Sequence, residues 1–377
     1  MVGVNAVVHE GLDGVVAATT RLSSVDGLAG ELIIGGFALE ELAPNATFEE
    51  ATYLLWHDRL PTAPELADFR QALADQRQIT PLIVDVLRDA ASRSLPAMDA
   101  LRMATGTLDV AADSDQFDQA TAILARLPTI VAAYHRLCAG QSLVEPDDTL
   151  SHAANYLWML TGERPDDAQV RALETYLNTV IDHGLNASTF AARVIIATRS
   201  DLVSAITGAI GALKGPLHGG APGPALDMVF EIGSVERAEE VLRAKLAAGE
   251  RLMGFGHRVY RVRDPRADVL AAAATRLYES GSADMALYTL AREVEQVALR
   301  VLEEHRPGRN LQTNVEYYTA LLLHGLDLPT DLFTPTFAIS RAAGWLAHCF
   351  EQLATGRIIR PESVYAGATG RAWPPKG

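Results

Sequence analysis

Apolar residues recur at three- and four-residue steps over much of this chain, and that spacing restricts it to a mainly helical fold. Ile123, Leu127, Ile130, Tyr134 and Leu137 form one stripe, Val170, Leu173, Leu177 and Val180 a second, and Ala238, Val241, Leu242 and Leu246 a third. Pro128 lies within the first, where it predicts a bend or a first helical turn. Thr47 and Glu50 have the spacing of a capping box ahead of a helix that holds Tyr53 and Leu54. Asp264-Pro265 pairs an N-cap side chain with a residue that needs no amide donor, a strong helix start. Strand signal is confined to the beginning: residues 15–21 and 31–34 flank the turn-rich SSVDGLAG and predict one hairpin. The expected class is all-α with a small N-terminal β-hairpin. At 377 residues the chain is longer than one compact core usually grows, so two domains are expected.

Ala205, Gly208, Ala209, Gly211 and Ala212 give the helix around residues 204–214 a face of small residues. Glycine within a helix costs about 1 kcal/mol against alanine, so such a face points to close helix–helix contact, with a subunit interface favoured over an internal one. No run of eighteen apolar residues is present, which predicts no membrane-spanning helix. The N-terminal MVGVNAVVHEGLDG has neither the basic start and apolar run of a signal peptide nor the Arg and Ser content of a transit peptide. Only Cys138 and Cys349 are present, too few for a disulfide framework, and both fall in helical, apolar stretches that favour buried packing. A cytoplasmic location is the expectation.

The net charge of −15 argues against nucleic acid as a partner. Against that background, residues 251–266 (RLMGFGHRVYRVRDPR) carry five arginines and one acid, a local reversal that suits an anionic ligand or a solvated helix end. Three histidines stand beside glycines, in Asp182-His183-Gly184, Leu217-His218-Gly219-Gly220 and Gly256-His257-Arg258. Glycine permits positive φ and a close ligand approach, so these imidazoles sit where a turn can present them. No HExxH is present and no Cys or acid lies at ordinary short ligand spacing, so a metal is not expected. Imidazole acid–base chemistry with arginines holding carboxylates or phosphates remains, and Arg266 would sit where helix amides and dipole also attract an anion. These residues indicate an enzyme acting on a small polyanion without naming it.

The segments LKGPLHGGAPG, MGFGHRVYRVRDPR, TNVEYYTALLLHGL, FAISRAAGW and IIRPES, with HGLNAST upstream, resemble the citrate synthase family in content and order. The opening GLDGVVAATTRLSSVDGLAGEL resembles the N-terminal hairpin of its short bacterial and archaeal members, so the likeness covers nearly the whole chain. It implies a homodimer in which residues 1–219 plus 328–377 make a large domain and residues 220–327 a small one. The active site would lie in the cleft between them.

By motif, the resemblance assigns His218 to the thioester oxygen of an acyl-CoA as its enol forms. His257 would polarise the oxaloacetate ketone, and Glu316 would remove the acyl α-proton. His183, Asn186, Arg266 and Arg341 match oxaloacetate ligands, and Arg360 matches an arginine that reaches the partner subunit's site. Arg258 and Arg261 fall in the coenzyme A segment, with Leu252, Met253, Gly254, Phe255 and Gly256 offering backbone to the adenine. The implied partners are oxaloacetate and a coenzyme A thioester as substrates, with no tightly bound cofactor, no metal, no nucleic acid and no membrane.

A carboxylate alone is too weak a base for a thioester α-proton, so the chemistry requires a second group that stabilises the enolate oxygen. One departure stands out: the family's base is aspartate, and here the motif reads Asn314-Val315-Glu316. Three functions follow: citrate synthase with acetyl-CoA, 2-methylcitrate synthase with propionyl-CoA, or a helical dimer that binds coenzyme A or a dicarboxylate without turnover.

Overall fold

The computed structural model describes residues 8–12, 14–111, 113–218, 222–256, 260, 262–371 and 373; His257, Arg258 and Arg261 therefore lie outside the described residues. A three-stranded antiparallel sheet comes first: β1 (Ser23–Asp26), β2 (Glu31–Ile34) and β3 (Phe37–Ala38). Ser23 pairs with Ile34, Asp26 with Glu31, and Ile33 with Ala38. The first strand thus lies in the segment expected to be turn, and residues 15–20 take no regular structure. The reason is local. Asp26 Oδ1 accepts from the amides of Leu28 and Ala29, which moves the turn to residues 27–30. β1 then covers β2, whose Leu32 and Ile34 are buried, whereas Val16 is 88% exposed.

The helices follow as α1 (Leu39–Leu42), α2 (Phe48–His57), α3 (Ala63–Asp75), α4 (Pro81–Ser92), α5 (Ala97–Thr105) and α6 (Gln116–Cys138). Next come α7 (His152–Thr161), α8 (Asp167–Val180), α9 (Ala187–Ile196), α10 (Leu202–Leu213) and α11 (Pro222–Ile232). The last are α12 (Val235–Ala247), α13 (Pro265–Glu279), α14 (Met285–His305), α15 (Val315–Gly325) and α16 (Phe333–Thr355). Their starts are chemically marked: capping boxes open α2 at Thr47, α3 at Thr62 and α8 at Asp166, and Asp264 caps α13 as expected. Pro128 sits inside α6, which continues unbroken past it.

α16 is the spine. It packs against α2, α6, α8, α9 and α10, and its residues from Ala338 to Phe350 are all buried. α11 to α15 pack on one another, and α8 reaches this group through α13 and α15. The three apolar stripes face the core as expected: Leu173, Leu177 and Val180 are buried, and Val241 and Leu246 flank the buried Ala238 and Leu242. Cys349 is buried, but Cys138 is exposed because it ends α6 beyond the apolar stripe. Of the small residues of α10, Gly208 serves a contact within the chain. A Cβ on Gly208 would lie 2.2 Å from Ile195 Cδ1 of α9, so this glycine admits a neighbouring helix of the same chain. No helix among the described residues is long and apolar enough to cross a membrane.

Gly344 lets α16 approach the loop that follows α8: a Cβ there would lie 2.3 Å from the Ile181 carbonyl oxygen and 2.9 Å from Asp182 Oδ1. Gly344→Ala should therefore destabilise the protein by about 1–3 kcal/mol, although alanine is the better helix former. Chemical denaturation would measure this, and equal or greater stability would show that the loop can withdraw.

Candidate active site

The turn after α8 makes the first wall. Asp182 is fully buried, and its Oδ2 accepts from Ser23 Oγ (2.5 Å) and the Gly184 amide (3.2 Å), while Oδ1 lies 3.1 Å from His348 Nε2. Burial would raise its pKa, but the His348, Arg341 and Ser23 contacts outweigh that and hold it below the ordinary carboxylate range. Gly184 adopts φ +62°, which reverses the chain directly after His183. His183 is half-buried, with Nε2 3.2 Å from the Tyr260 hydroxyl. Asn186 caps α9: its Oδ1 accepts from the Thr189 amide and lies 2.8 Å from Ser188 Oγ, and its Nδ2 donates to the Gly184 carbonyl. All these groups are thus occupied in shaping the turn.

His218 ends the turn that follows α10 and comes against α9. Its Nε2 lies 2.7 Å from Ser188 Oγ and 3.3 Å from the Ser188 backbone nitrogen. A backbone N–H can only donate, so Nε2 carries the lone pair and the ring proton resides on Nδ1. Burial, with a smaller contribution from the charge of Arg341, lowers the His218 pKa and favours this neutral form. Trp345 Nε1 donates to Ser188 Oγ at 3.1 Å and anchors the pair to α16.

Arg341, also on α16, is 2% exposed. Its Nε donates to the Val180 carbonyl at 2.6 Å and its guanidinium lies 4.6 Å from the Phe337 ring centroid, but no carboxylate pairs with it among the described residues. Burial, reinforced by the charge of Arg266 against the opposing pull of Asp182, pushes its pKa down to about 10. It remains a cation at neutral pH.

The opposite wall is built on α13 and α15. Asp264 caps α13 and grips Arg266 with both oxygens, at 3.0 Å to Nε and 2.8 Å to Nη2. The Arg266 guanidinium lies 5.6 Å from the ring centroid of Tyr260, the residue that meets His183. Glu316 occupies the first turn of α15, where its amide donates to the Asn314 side chain. Burial raises its pKa, opposed by Arg266 and by the hydrogen bond from Asn314, which leaves a carboxylate of increased basicity.

Two extended segments tie this wall together. Phe255 bridges Thr313, the Gly256 amide donates to the Gln312 carbonyl at 2.7 Å, and Asn314 Nδ2 donates to the Gly256 carbonyl at 2.8 Å. Gly254 (φ +89°) is required here, since a Cβ would lie 2.8 Å from the Tyr317 ring. Leu252 is buried, Met253 and Phe255 pack on the core, and the carbonyls of Gly254 and Gly256 are already taken. Of the backbone offered by residues 252–256, only part is available to a ligand.

His183, His218, Arg266, Arg341 and Glu316 thus come together, linked through Tyr260, Ser188 and the mutual influence of the charges. Arg360 does not join them. It is exposed, beyond the end of α16 at Thr355, in a segment without regular structure. The structure adds residues that sequence reasoning missed: Ser23, Ser188, Tyr260 and Trp345, together with Arg306 and Arg309, which line a cavity with Gly256, Tyr260 and Asp264. The arginine pair had a signal in Arg306-Pro-Gly-Arg309, a basic turn just ahead of Asn314-Val315-Glu316. Ser23, Ser188, Tyr260 and Trp345 lie within GLDGVVAATTRLSSVDGLAGEL, HGLNAST, MGFGHRVYRVRDPR and FAISRAAGW, but no local pattern singles them out.

The family described as citrate synthase, C-terminal domain, matches residues 11–362. Citrate synthase of Haloferax volcanii is 41% identical over 95% of either chain. A 2-methylcitrate synthase of Mycobacterium tuberculosis is 39% identical over 97% of this chain and 92% of its own. Citrate synthase of Thermoplasma acidophilum, solved as a ternary complex with carboxymethyl coenzyme A and oxaloacetate, superposes with a TM-score of 0.86 at 30% identity, covering 97% of this chain and 98% of that one. A match over most of the sequence, carried by the same helical architecture, places the chain in the citrate synthase family.

Proposed function

We propose that the protein condenses acetyl-CoA with oxaloacetate and water to give citrate and coenzyme A. The observation that carries this reading is the buried Arg341 guanidinium, without a carboxylate partner among the described residues, close enough to Arg266 for the two cations to oppose each other. A small dianion bound between them relieves that repulsion. His183 completes the oxaloacetate site, with Asn186 shaping its turn. The His218 Nδ1–H is the donor for the thioester oxygen, because Nε2 is already an acceptor. Glu316 takes the α-proton as that oxygen gains charge, and the resulting enol carbon attacks the ketone of oxaloacetate. His257 then protonates the new alkoxide, and water cleaves the thioester to release coenzyme A. Residues 252–256, Arg258 and Arg261 hold the coenzyme, with Arg306 and Arg309 added as phosphate contacts from the cavity beside Gly256.

The same reading takes residues 220–327 as a small domain that closes onto the remainder (1–219 and 328–377). It takes the cytoplasmic enzyme as a homodimer in which Arg360 reaches the neighbouring site. Exposed Ile358, Tyr365 and Trp373 support the dimer, since they flank Arg360 in an arm that its own chain does not cover. The likeness to a 2-methylcitrate synthase supports propionyl-CoA as a second substrate, because one methylene changes pocket affinity by only about 1–3 kcal/mol.

A free-thiol assay with acetyl-CoA or propionyl-CoA tests the whole reading. Thiol release should require oxaloacetate, and absence of turnover with both thioesters would leave a binding protein instead. Glu316→Gln should retain oxaloacetate affinity while almost abolishing exchange of the acyl α-protons with solvent. Glu316→Asp should lower kcat by about 10²-fold, since it withdraws the carboxylate by roughly 1 Å; faster turnover would mean that the backbone retains the spacing suited to aspartate.

Mixing Arg360→Ala with Arg341→Ala subunits tests the shared site. Heterodimers should recover activity because one of their two sites has both arginines intact. Failure to complement in verified heterodimers would return Arg360 to its own chain's site.

A further inference from the structure

The β-sheet touches both walls of the site. At one end of the hairpin, Ser23 Oγ donates to Asp182 Oδ2 at 2.5 Å and accepts from the Gly184 amide at 2.7 Å. One hydroxyl thereby bridges the residues on either side of His183. At the other end, Gly30 packs so closely on the segment ahead of Asp264 that a Cβ would lie 2.7 Å from Val262 Cγ2 and 3.3 Å from the Arg263 carbonyl oxygen.

The Ser23 bridge belongs to a closed circuit of hydrogen bonds. The Arg21 amide, two residues before Ser23, donates to Glu351 Oε1 at 3.0 Å, and Glu351 Oε2 accepts from Arg193 Nη1 at 2.9 Å. Arg193 is 1% exposed, and the same Nη1 lies 2.9 Å from His348 Nδ1. A guanidinium has no lone pair to offer, so His348 Nδ1 is the acceptor and its Nε2–H donates to Asp182 Oδ1 at 3.1 Å. The circuit starts and finishes on the hairpin and holds Asp182 from both sides.

We propose that Ser23 is a positioning residue for oxaloacetate binding, its hydroxyl fixing the turn that presents His183. The assignment rests on the functional reading above. The hairpin is then a strut of the active site, setting the His183 turn against α13 through Ser23 at one end and Gly30 at the other. Without the hydroxyl, the Gly184 amide keeps only the longer contact to Asp182 at 3.2 Å, and His183 gains freedom to leave the geometry the ligand needs. Acyl-CoA contacts lie elsewhere and should be spared.

Ser23→Ala and Ser23→Thr separate this role from a merely structural one. The alanine variant should bind oxaloacetate about tenfold or more weakly by calorimetry, the loss expected for a hydrogen bond to a charged group. Its KM for acyl-CoA should stay within about twofold of wild type and its Tm within a few degrees. Threonine keeps the hydroxyl and suits a strand, so it should restore oxaloacetate affinity to within about threefold. Unchanged oxaloacetate affinity in Ser23→Ala beside an active wild type would overturn the assignment alone. So would parallel losses for both substrates and Tm that threonine does not rescue. A wild type that neither binds oxaloacetate nor releases thiol would overturn the functional reading and this assignment with it.

Discussion

The constraint on which the molecule turns is a positive charge held in its interior with no carboxylate paired to it among the described residues. A guanidinium taken out of water loses several kcal/mol of solvation unless its surroundings replace it. Arg341 receives only partial replacement from the Val180 carbonyl, the Phe337 ring and the nearby charge of Asp182. Much of the surrounding architecture is needed to hold it. α16 must be buried on nearly all sides to carry Arg341, and its small residues make that burial possible. Glycine at 344 lets the Asp182 turn come close enough for its charge to count. Arg341 is thereby held in place by the fold itself, and on the proposed function the electrostatic cost of the site is met by folding rather than by binding.

The two walls solve the same problem differently. On α13, Arg266 is neutralised by Asp264, which also caps the helix and accepts from the Val315 amide at the start of α15. On α16, Arg341 is left incompletely compensated. On the proposed function, a dianion between them would meet one cation already satisfied and one that is not, and the differential gain would fall mainly on the second. Glu316 stands near the satisfied one, where burial raises its basicity and the charge of Arg266 works against that rise.

Much of this was legible in the sequence because helices write their own boundaries. Stripes at Leu173, Leu177 and Val180, the capping box at Thr47 and Glu50, and Asp264-Pro265 each depend on residues within a few positions of one another, and each was found where expected. The histidine turns and clustered arginines stood out for the same reason. The first strand was misplaced because Ser23–Asp26 looks like turn until Asp26 is seen to fold the chain one step later. The small face of α10 was ambiguous because glycine records a close neighbour without saying whose. Contacts such as Ser188 with His218, or Ser23 with Asp182, join residues separated by 30 and 159 positions, and no local pattern encodes them.

The circuit that runs from Arg21 to Ser23 also has a direction. Arg193 can only donate and the Asp182 carboxylate can only accept, so every hydrogen bond between them points one way, and His348 is held in a single tautomer. A proton can hop along a chain of hydrogen bonds only if each bond can reverse behind it. With both ends blocked, this network cannot act as a proton wire, although it passes beside the His183 turn and contains an imidazole. Protons moved at the His183 turn therefore do not pass back along this network, which insulates Arg193 and Glu351 behind it.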